Sequence, residues 1–132
     1  MNVTDIAVED PSVRRPPSEC LKVTQVLSRI GDKWTVLVII VLRERGYRFN
    51  ELKRGIDGIS QRMLTLTLRN MERDGLVTRT LTPSIPPRVD YELTETGHSL
   101  AGPVKMLGEW AFQNLRQIAA AQASFDAKGV DR

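Results

Sequence analysis

The chain has 132 residues, a hydrophobic content of 41% and a formal net charge of +3, which fit one folded domain and permit a polyanionic partner. Its one cysteine and one histidine cannot build a disulfide framework or a cysteine-based zinc site within one chain, and we predict no metal and no cofactor. No phosphate-cradling glycine loop is present, so an enzyme is not expected. The longest apolar run, residues 36–42, is shorter than the ~20 residues of a membrane span, and we expect a cytoplasmic protein without a membrane partner.

The residue pattern of the N-terminal half predicts a flexible arm followed by helices. Residues 1–17 mix acidic, basic and proline residues without periodicity, which predicts a flexible arm. Ser18 can cap a first helix with apolar residues at mostly three- and four-residue steps. The segment KWTVLVIIVLRE is nearly all apolar and β-branched, which fits either a buried helix or a strand. A brief extended piece at 47–49 leads into a short third helix capped by Asn50.

A fourth helix is predicted despite a pattern typical of a strand. The stretch MLTLTLRN alternates apolar and polar residues with the period of a half-buried strand. Ser60 is nevertheless a good N-cap, and Ile59 and Leu64 occupy the two positions of a hydrophobic staple. Gly75 can adopt the left-handed C′ conformation that ends a helix. As a helix, the segment has one apolar stripe: Leu64, Leu68 and Met71.

The opposite face of this fourth helix is rich in arginine. At about 100° per residue it presents Arg62, Leu66, Arg69 and Arg73, with Thr65 on its flank. Two interpretations fit this face. It is either a solvated surface, as most charged helix faces are, or a helix that lies in the major groove of DNA, where arginine pairs with guanine or phosphate.

A change of pattern after the fourth helix predicts a β-hairpin. Residues 77–81 and 89–93 are short, alternating and rich in β-branched residues, and TPSIPP separates them. Three prolines exclude a tight two-residue turn, so we expect a wide, stiff and protruding loop. Helical periodicity then returns and continues to Ile118.

The order of elements is that of a winged helix-turn-helix. We predict a mainly α fold with a small β-hairpin, in which residues 18–120 form the winged helix with added N- and C-terminal dimerisation helices. The apolar stripes of the first and last helices have no other obvious partner, which favours a homodimer. Residues 121–132 are predicted to be a C-terminal tail.

The sequence resembles the HxlR-type winged-helix transcriptional regulators from Cys20 to about Ala111. The motifs that carry the resemblance are IGDKW, RFNEL, GIS and PPRVDYELT. The resemblance implies a homodimeric regulator that binds a palindromic operator in double-stranded DNA. By position it implies these DNA contacts in the fourth helix and the hairpin: Ser60, Gln61, Arg62, Thr65, Arg69, Arg79 and Arg88. Leu66 departs from the polar residue often found there, and either touches a thymine methyl or is merely exposed.

Some regulators of this type sense oxidants or electrophiles through a cysteine at the start of the first helix, where Cys20 stands here. Backbone N–H groups favour a thiolate in a first helical turn, and Arg14, Arg15 and Lys22 are nearby in sequence, whereas Glu19 opposes the thiolate. Oxidation would then form a mixed disulfide or an intersubunit disulfide, and an oxidant or small molecule would be the effector. The alternative is a small apolar residue packed between helices.

Two functions of other classes are also compatible with the sequence. The winged helix could be a protein-interaction module without sequence-specific DNA binding, its arginine face meeting an acidic partner. A small enzyme with a Cys20 nucleophile would need a base, and the histidine of the chain, His98, is distant in sequence. Trp34 and Trp110 are expected in the core or a dimer interface, or as lining of an effector pocket.

Overall fold

The structure is a computed structural model that describes residues 17–129. Its elements in chain order are α1 (Pro17–Ile30), α2 (Lys33–Leu42), β1 (Tyr47–Arg48), α3 (Phe49–Gly55), α4 (Gln61–Arg73), β2 (Val77–Thr82), β3 (Arg88–Leu93) and α5 (Glu95–Ala127). The arm predicted for residues 1–17 lies outside the described residues, apart from Pro17, which is the first residue of α1.

The described residues divide into two compact units, one of which is α1 with the chain up to Asp32. Within this helix Glu19 lies in the first turn and Arg29 in the last, and each charge interacts favourably with the helix dipole at its end. The apolar residues of α1 are exposed, Leu21 at 60% and Val26 at 58%. The helix therefore carries exposed apolar side chains.

The second unit, from Lys33 onwards, is built around α2. The apolar pattern of this segment fitted either a buried helix or a strand, and the structure shows a helix. Val38 and Ile39 are fully buried, and α2 contacts α3, α4, α5 and β3. Burial on several sides explains the choice, because tertiary packing overrides the weak helix propensity of β-branched residues.

Both predicted ends of α4 are confirmed. The Ser60 hydroxyl accepts a hydrogen bond from the Met63 N–H at 3.0 Å. At the other end Gly75 has φ +76°, and the Leu76 N–H donates to the Met71 carbonyl at 2.8 Å, which is the Schellman arrangement. The predicted apolar stripe is buried, whereas Leu66 is 52% exposed. The alternating pattern of this segment is thus compatible with a helix.

The predicted hairpin is part of a three-stranded antiparallel sheet with the order β1-β3-β2. The register of β2 and β3 runs from Val77 opposite Leu93 to Thr82 opposite Arg88. The extended piece predicted at 47–49 includes β1, which pairs with β3 through Tyr47 and Tyr91. The short third helix begins one residue before the predicted cap, because the Arg48 N–H donates to the Glu51 carboxylate at 2.8 Å.

The start of α5 is joined tightly to the end of α4. The Thr94 N–H donates to the Leu76 carbonyl at 3.0 Å, and the Thr94 hydroxyl donates to the Gly75 carbonyl. The Gly97 N–H in turn donates to the Thr94 hydroxyl oxygen at 3.0 Å. The backbone of Gly97 lies so close to that of Leu76 that a Cβ atom on residue 97 would overlap the Leu76 carbonyl oxygen. A glycine is therefore required here by close approach.

The last helix is longer than the sequence predicted. It continues to Ala127, so residues 121–127 of the segment 121–132 predicted as a tail are helical. The physical reason is composition, because residues 119–127 are rich in alanine and contain neither proline nor glycine before Gly129. Within residues 17–129, no helix has the length and apolar character needed to span a membrane.

Candidate nucleic-acid interface

The helix-turn-helix consists of α3 and α4, joined by a turn in which Gly58 has φ +82°. Leu64, Leu68 and Met71 are buried and hold α4 against the core. Fixing one face of the helix in this way presents the opposite face to solvent. The predicted contact residues of this helix are all exposed: Ser60, Gln61, Arg62, Thr65 and Arg69.

The arginines of α4 are available for a partner. Neither Arg62 nor Arg69 makes an ion pair or a hydrogen bond to another side chain within residues 17–129. An unpaired guanidinium keeps all five N–H donors and its full charge. The exposed face of α4 therefore offers fork-shaped donors that fit guanine edges or phosphate oxygens.

The hairpin places its two predicted contact residues on opposite faces. Arg79 is directly opposite Tyr91, and such pairs point to the same side of a sheet. Arg79 and Tyr91 line a depression of about 340 Å³. Thr65 and Arg69 of α4 line the same depression. The structure thus brings three of the predicted contacts together, namely Thr65, Arg69 and Arg79.

Arg88 lies on the other face and is already paired. Its Nε is 3.0 Å from Oδ2 and 3.2 Å from Oδ1 of Asp90, which is two residues along the same strand. The side chain of Arg88 is 47% exposed, so the pair is partly solvated. The Asp90 carboxylate offsets part of the positive charge that Arg88 would present to DNA.

A second group of cations, which sequence reasoning missed, lies near Arg88. The start of α3 and the hairpin loop form a groove of about 740 Å³ whose lining includes Arg48, Arg54 and Arg88. The only signal in the sequence is the basic character of RFNELKR. Glu51 lies in the same groove, and the hydrogen bond from the Arg48 N–H lowers the pKa of its carboxyl below the ordinary value, with nearby arginines acting in the same direction.

The hairpin loop protrudes as predicted. Residues 83–87 are exposed throughout, and Ile85 at the tip is fully exposed. The Ser84 hydroxyl donates to the Pro86 carbonyl at 2.7 Å, which adds a local constraint to the prolines. The loop is therefore a finger with little freedom to fold back.

Cys20 is exposed in the first turn of α1, so it is not a buried core thiol of this chain. His98 is likewise exposed on α5. Trp34 is half-buried with the Lys33 ammonium 4.3 Å from its ring centroid, whereas Trp110 is 57% exposed. Among residues 17–129 there is no cluster of His, Cys, Asp and Glu side chains that could hold a metal ion.

Comparisons with known proteins agree with the fold. The HxlR-like helix-turn-helix family model matches residues 29–119. The HTH-type transcriptional regulator YtfH of Escherichia coli is 37% identical over 98 residues, which cover 74% of this chain and 78% of that protein.

Two solved structures extend the comparison to the whole winged helix. The transcriptional regulator ytfH from Salmonella typhimurium matches with a TM-score of 0.71 and 32% identity, over 86% of this chain and 97% of that one. The redox regulator HypR in its reduced form matches with a TM-score of 0.70 and 38% identity, over 75% and 98%. The resemblance and the winged-helix fold predicted from the sequence are confirmed, and the chain belongs to the HxlR-like helix-turn-helix family of transcriptional regulators, not to a family of enzymes.

Proposed function

We propose that this DNA-binding regulator is a homodimer that binds a palindromic operator, with α4 in the major groove and the hairpin against the flanking backbone or minor groove. The observation that carries the proposal is the exposed face of α4, on which Arg62 and Arg69 have no ion-pair partner within residues 17–129. A DNA-binding regulator of this kind acts in the cytoplasm.

Base reading is assigned to the first half of α4. Ser60, Gln61 and Arg62 precede or form its first turn, which is the part of a recognition helix that meets base edges. Arg62 would pair with guanine O6 and N7, and the methyl group of Thr65 would contact a thymine methyl. Leu66 is 52% exposed, which single leucines tolerate, and we assign it no contact.

Backbone contacts are assigned to Arg69, Arg79 and Arg88. Such contacts fix the orientation of a protein on the duplex and carry little sequence information. Arg79 is supported by its position beside Arg69 in one depression. Arg88 is supported by its place at the base of the protruding loop, although its pairing with Asp90 reduces the charge that it offers.

The homodimer is supported by apolar surface on the first and last helices. Along α5 the stripe formed by Leu107, Trp110, Leu115, Ile118 and Phe125 is exposed by 40% to 68%. A continuous exposed apolar stripe of this length marks an interaction surface. A two-fold dimer would present two copies of α4, and the symmetry of its operator would follow.

Cys20 is proposed as an oxidant sensor. It is exposed in the first turn of α1, and HypR, which this chain resembles, is described as a redox regulator. In the simplest reaction the Cys20 thiolate attacks a low-molecular-weight disulfide, forms a mixed disulfide and releases one thiolate. Two such thiols could alternatively be joined as an intersubunit disulfide. The effector would then be a disulfide or an oxidant.

The proposed function is tested by selecting protected fragments from genomic DNA with nuclease. We expect protection with two-fold symmetry, and an affinity for the selected duplex that falls steeply with salt because phosphates are neutralised. If no duplex is protected, or if binding is insensitive to salt, the winged helix is a protein-interaction module and its arginine face meets an acidic protein.

A further inference from the structure

Tyr91 is a largely buried tyrosine that lines a surface depression. The residue is 8% exposed and lies on the central strand of the sheet, opposite Tyr47 on one side and Arg79 on the other. Its hydroxyl makes no hydrogen bond within residues 17–129. Because Tyr91 lines a depression that is open to solvent, water or a ligand in that depression is the partner available to this hydroxyl.

The depression that Tyr91 lines has the charge of an anion site. Its wall carries two guanidinium groups, Arg69 and Arg79, and the hydroxyl of Thr65. Glu72 also lines the depression and is the acidic residue of its lining. Neither Arg69 nor Arg79 forms an ion pair with it. Two cations against one anion leave a net positive charge beside the Tyr91 hydroxyl, which is itself a donor.

The position of the depression indicates which anion it meets. It lies between α4 and the hairpin, and α4 is the helix that we place in the major groove. The sugar–phosphate strand that separates a major groove from the neighbouring minor groove passes between a recognition helix and its hairpin. Base edges are deeper in the grooves, so the group that reaches this depression is a backbone phosphate.

We infer that this depression binds one backbone phosphate of the operator, with the Tyr91 hydroxyl donating to a phosphate oxygen and Arg69 and Arg79 neutralising its charge. The inference rests on the proposed function and assigns Arg69 to backbone rather than to base contact. Charge-assisted hydrogen bonds of this kind are short and strong. They orient α4 without contributing sequence preference.

The first test is Tyr91→Phe, which removes the hydroxyl and keeps the buried ring. We expect the affinity for operator and for an unrelated duplex to fall together by about tenfold, the effect of one hydrogen bond to a charged group. Arg79→Ala should lower both affinities and reduce the log–log salt slope by about one unit. Glu72→Gln should raise both affinities, since it removes the opposing charge.

The matched control is Tyr47→Phe. Tyr47 is the cross-strand neighbour of Tyr91 but does not line the depression, and its ring lies 3.8 Å from the Arg45 guanidinium. We expect this variant to bind DNA like the wild type. Thermal unfolding of the DNA-free protein separates a ligand contact from a structural role. Tyr91→Phe should unfold at an unchanged or higher temperature, because the hydroxyl that it removes makes no hydrogen bond within residues 17–129.

Single methylphosphonate substitutions in the operator identify the phosphate. Neutralising one phosphate of each half-site should weaken binding of the wild type, and should weaken Tyr91→Phe by a smaller factor, because that variant has already lost the hydroxyl contact but keeps Arg69 and Arg79. The inference is overturned if Tyr91→Phe keeps full affinity, loses affinity for the operator alone, or unfolds at a lower temperature than the wild type.

A free anion is the other possible occupant, and inorganic phosphate is the probe for it. If phosphate raises the unfolding temperature of the wild type but not of Tyr91→Phe, while DNA affinity is the same in both, the depression binds a free anion and our assignment is wrong. Suppose that the wild type binds DNA and that Arg62→Ala loses discrimination between operator and unrelated duplex, while Tyr91→Phe binds both duplexes like the wild type. The inference is then wrong, but the proposed function stands. If wild-type protein binds no DNA, the proposed function fails as well.

Discussion

Helices α4 and α5 differ in the chemistry that they expose. On α4 the apolar stripe of Leu64, Leu68 and Met71 is buried, and the exposed face carries Arg62 and Arg69. On α5 the exposed face is apolar, with Leu107 at 68% and Leu115 at 61%. A charged face is stable in water and indicates a polyanionic partner, whereas an apolar face is unfavourable in water and indicates an apolar one.

The difference arises from how much of each helix the core can cover. The buried residues of α4 run from Leu64 to Met71, and the helix contacts α2 and β2. In α5 the buried residues are Gly97 and Val104, both near its start. From Leu115 to Ala127 every residue of α5 is exposed. This comparison suggests that α4 is the surface for DNA and α5 the surface for a second copy.

The largest effect is expected from Leu115→Arg, which places a charge in the apolar stripe of α5. It should convert a dimer to a monomer and lower operator affinity by about a hundredfold or more, because the second half-site no longer binds in the same complex. Ala120→Arg is the control, since Ala120 is exposed on another side of the helix. Sedimentation equilibrium measures the assembly. A Leu115→Arg protein that remains a dimer would remove α5 from the interface.

The next effect concerns the junction that ties α5 to α4. In Gly97→Ala the new Cβ overlaps the Leu76 carbonyl, and we expect destabilisation of about 3 kcal/mol, the upper range of overpacking. Gly102→Ala is the control because nothing lies within 4 Å of its Cβ position. Replacing this helical glycine should stabilise the protein by up to about 1 kcal/mol. Urea unfolding compares the two, and equal stabilities would mean that the junction is looser than described.

Arg62→Ala tests the recognition face of α4. If this arginine meets a base edge, operator binding should weaken by about 1–3 kcal/mol, with a smaller loss for unrelated duplex. Arg73→Ala, in the last turn of the same helix, is the control and should leave discrimination unchanged. Competition titrations with operator and scrambled duplex give the ratio. An unchanged ratio in Arg62→Ala would show that α4 presents a different face to the bases.

Arg88→Ala should weaken binding to operator and unrelated duplex alike and flatten the salt dependence by at most about one unit of log–log slope. The effect is expected to be small because Asp90 already offsets the charge of Arg88. Asp90→Asn should therefore strengthen binding to both duplexes, and this gain should vanish in the double variant. A loss confined to the operator, with an unchanged slope, would mean that Arg88 reads bases or supports the hairpin.

The smallest effect in reducing conditions is expected from Cys20→Ser. Affinity should equal that of the wild type until a disulfide such as oxidised glutathione is added. The wild type should then gain the mass of one adduct per chain, or form an intersubunit disulfide, and change its affinity. The variant should do neither. If the wild type is modified but its affinity is unaffected, Cys20 is accessible without being a sensor.

Local signals in the sequence were enough to locate α4 and the hairpin. Ser60 and Gly75 mark the ends of α4 because a side-chain cap and a left-handed residue act within one turn of the chain. The strands were predicted to within one residue, since alternation and prolines are also local features. The exposed residues of α4 followed from the helical period.

Contacts between distant segments determined the rest. The nearly all-apolar segment of α2 is a helix because other elements pack against it on several sides. Residues 47–48 form a strand because they pair with β3. The sequence by itself predicted an exposed, arginine-rich face on α4. Only the tertiary structure placed Arg79 beside Arg69 and Tyr91, and Arg88 beside Asp90 on the opposite face, because strand register decides which neighbours a side chain meets.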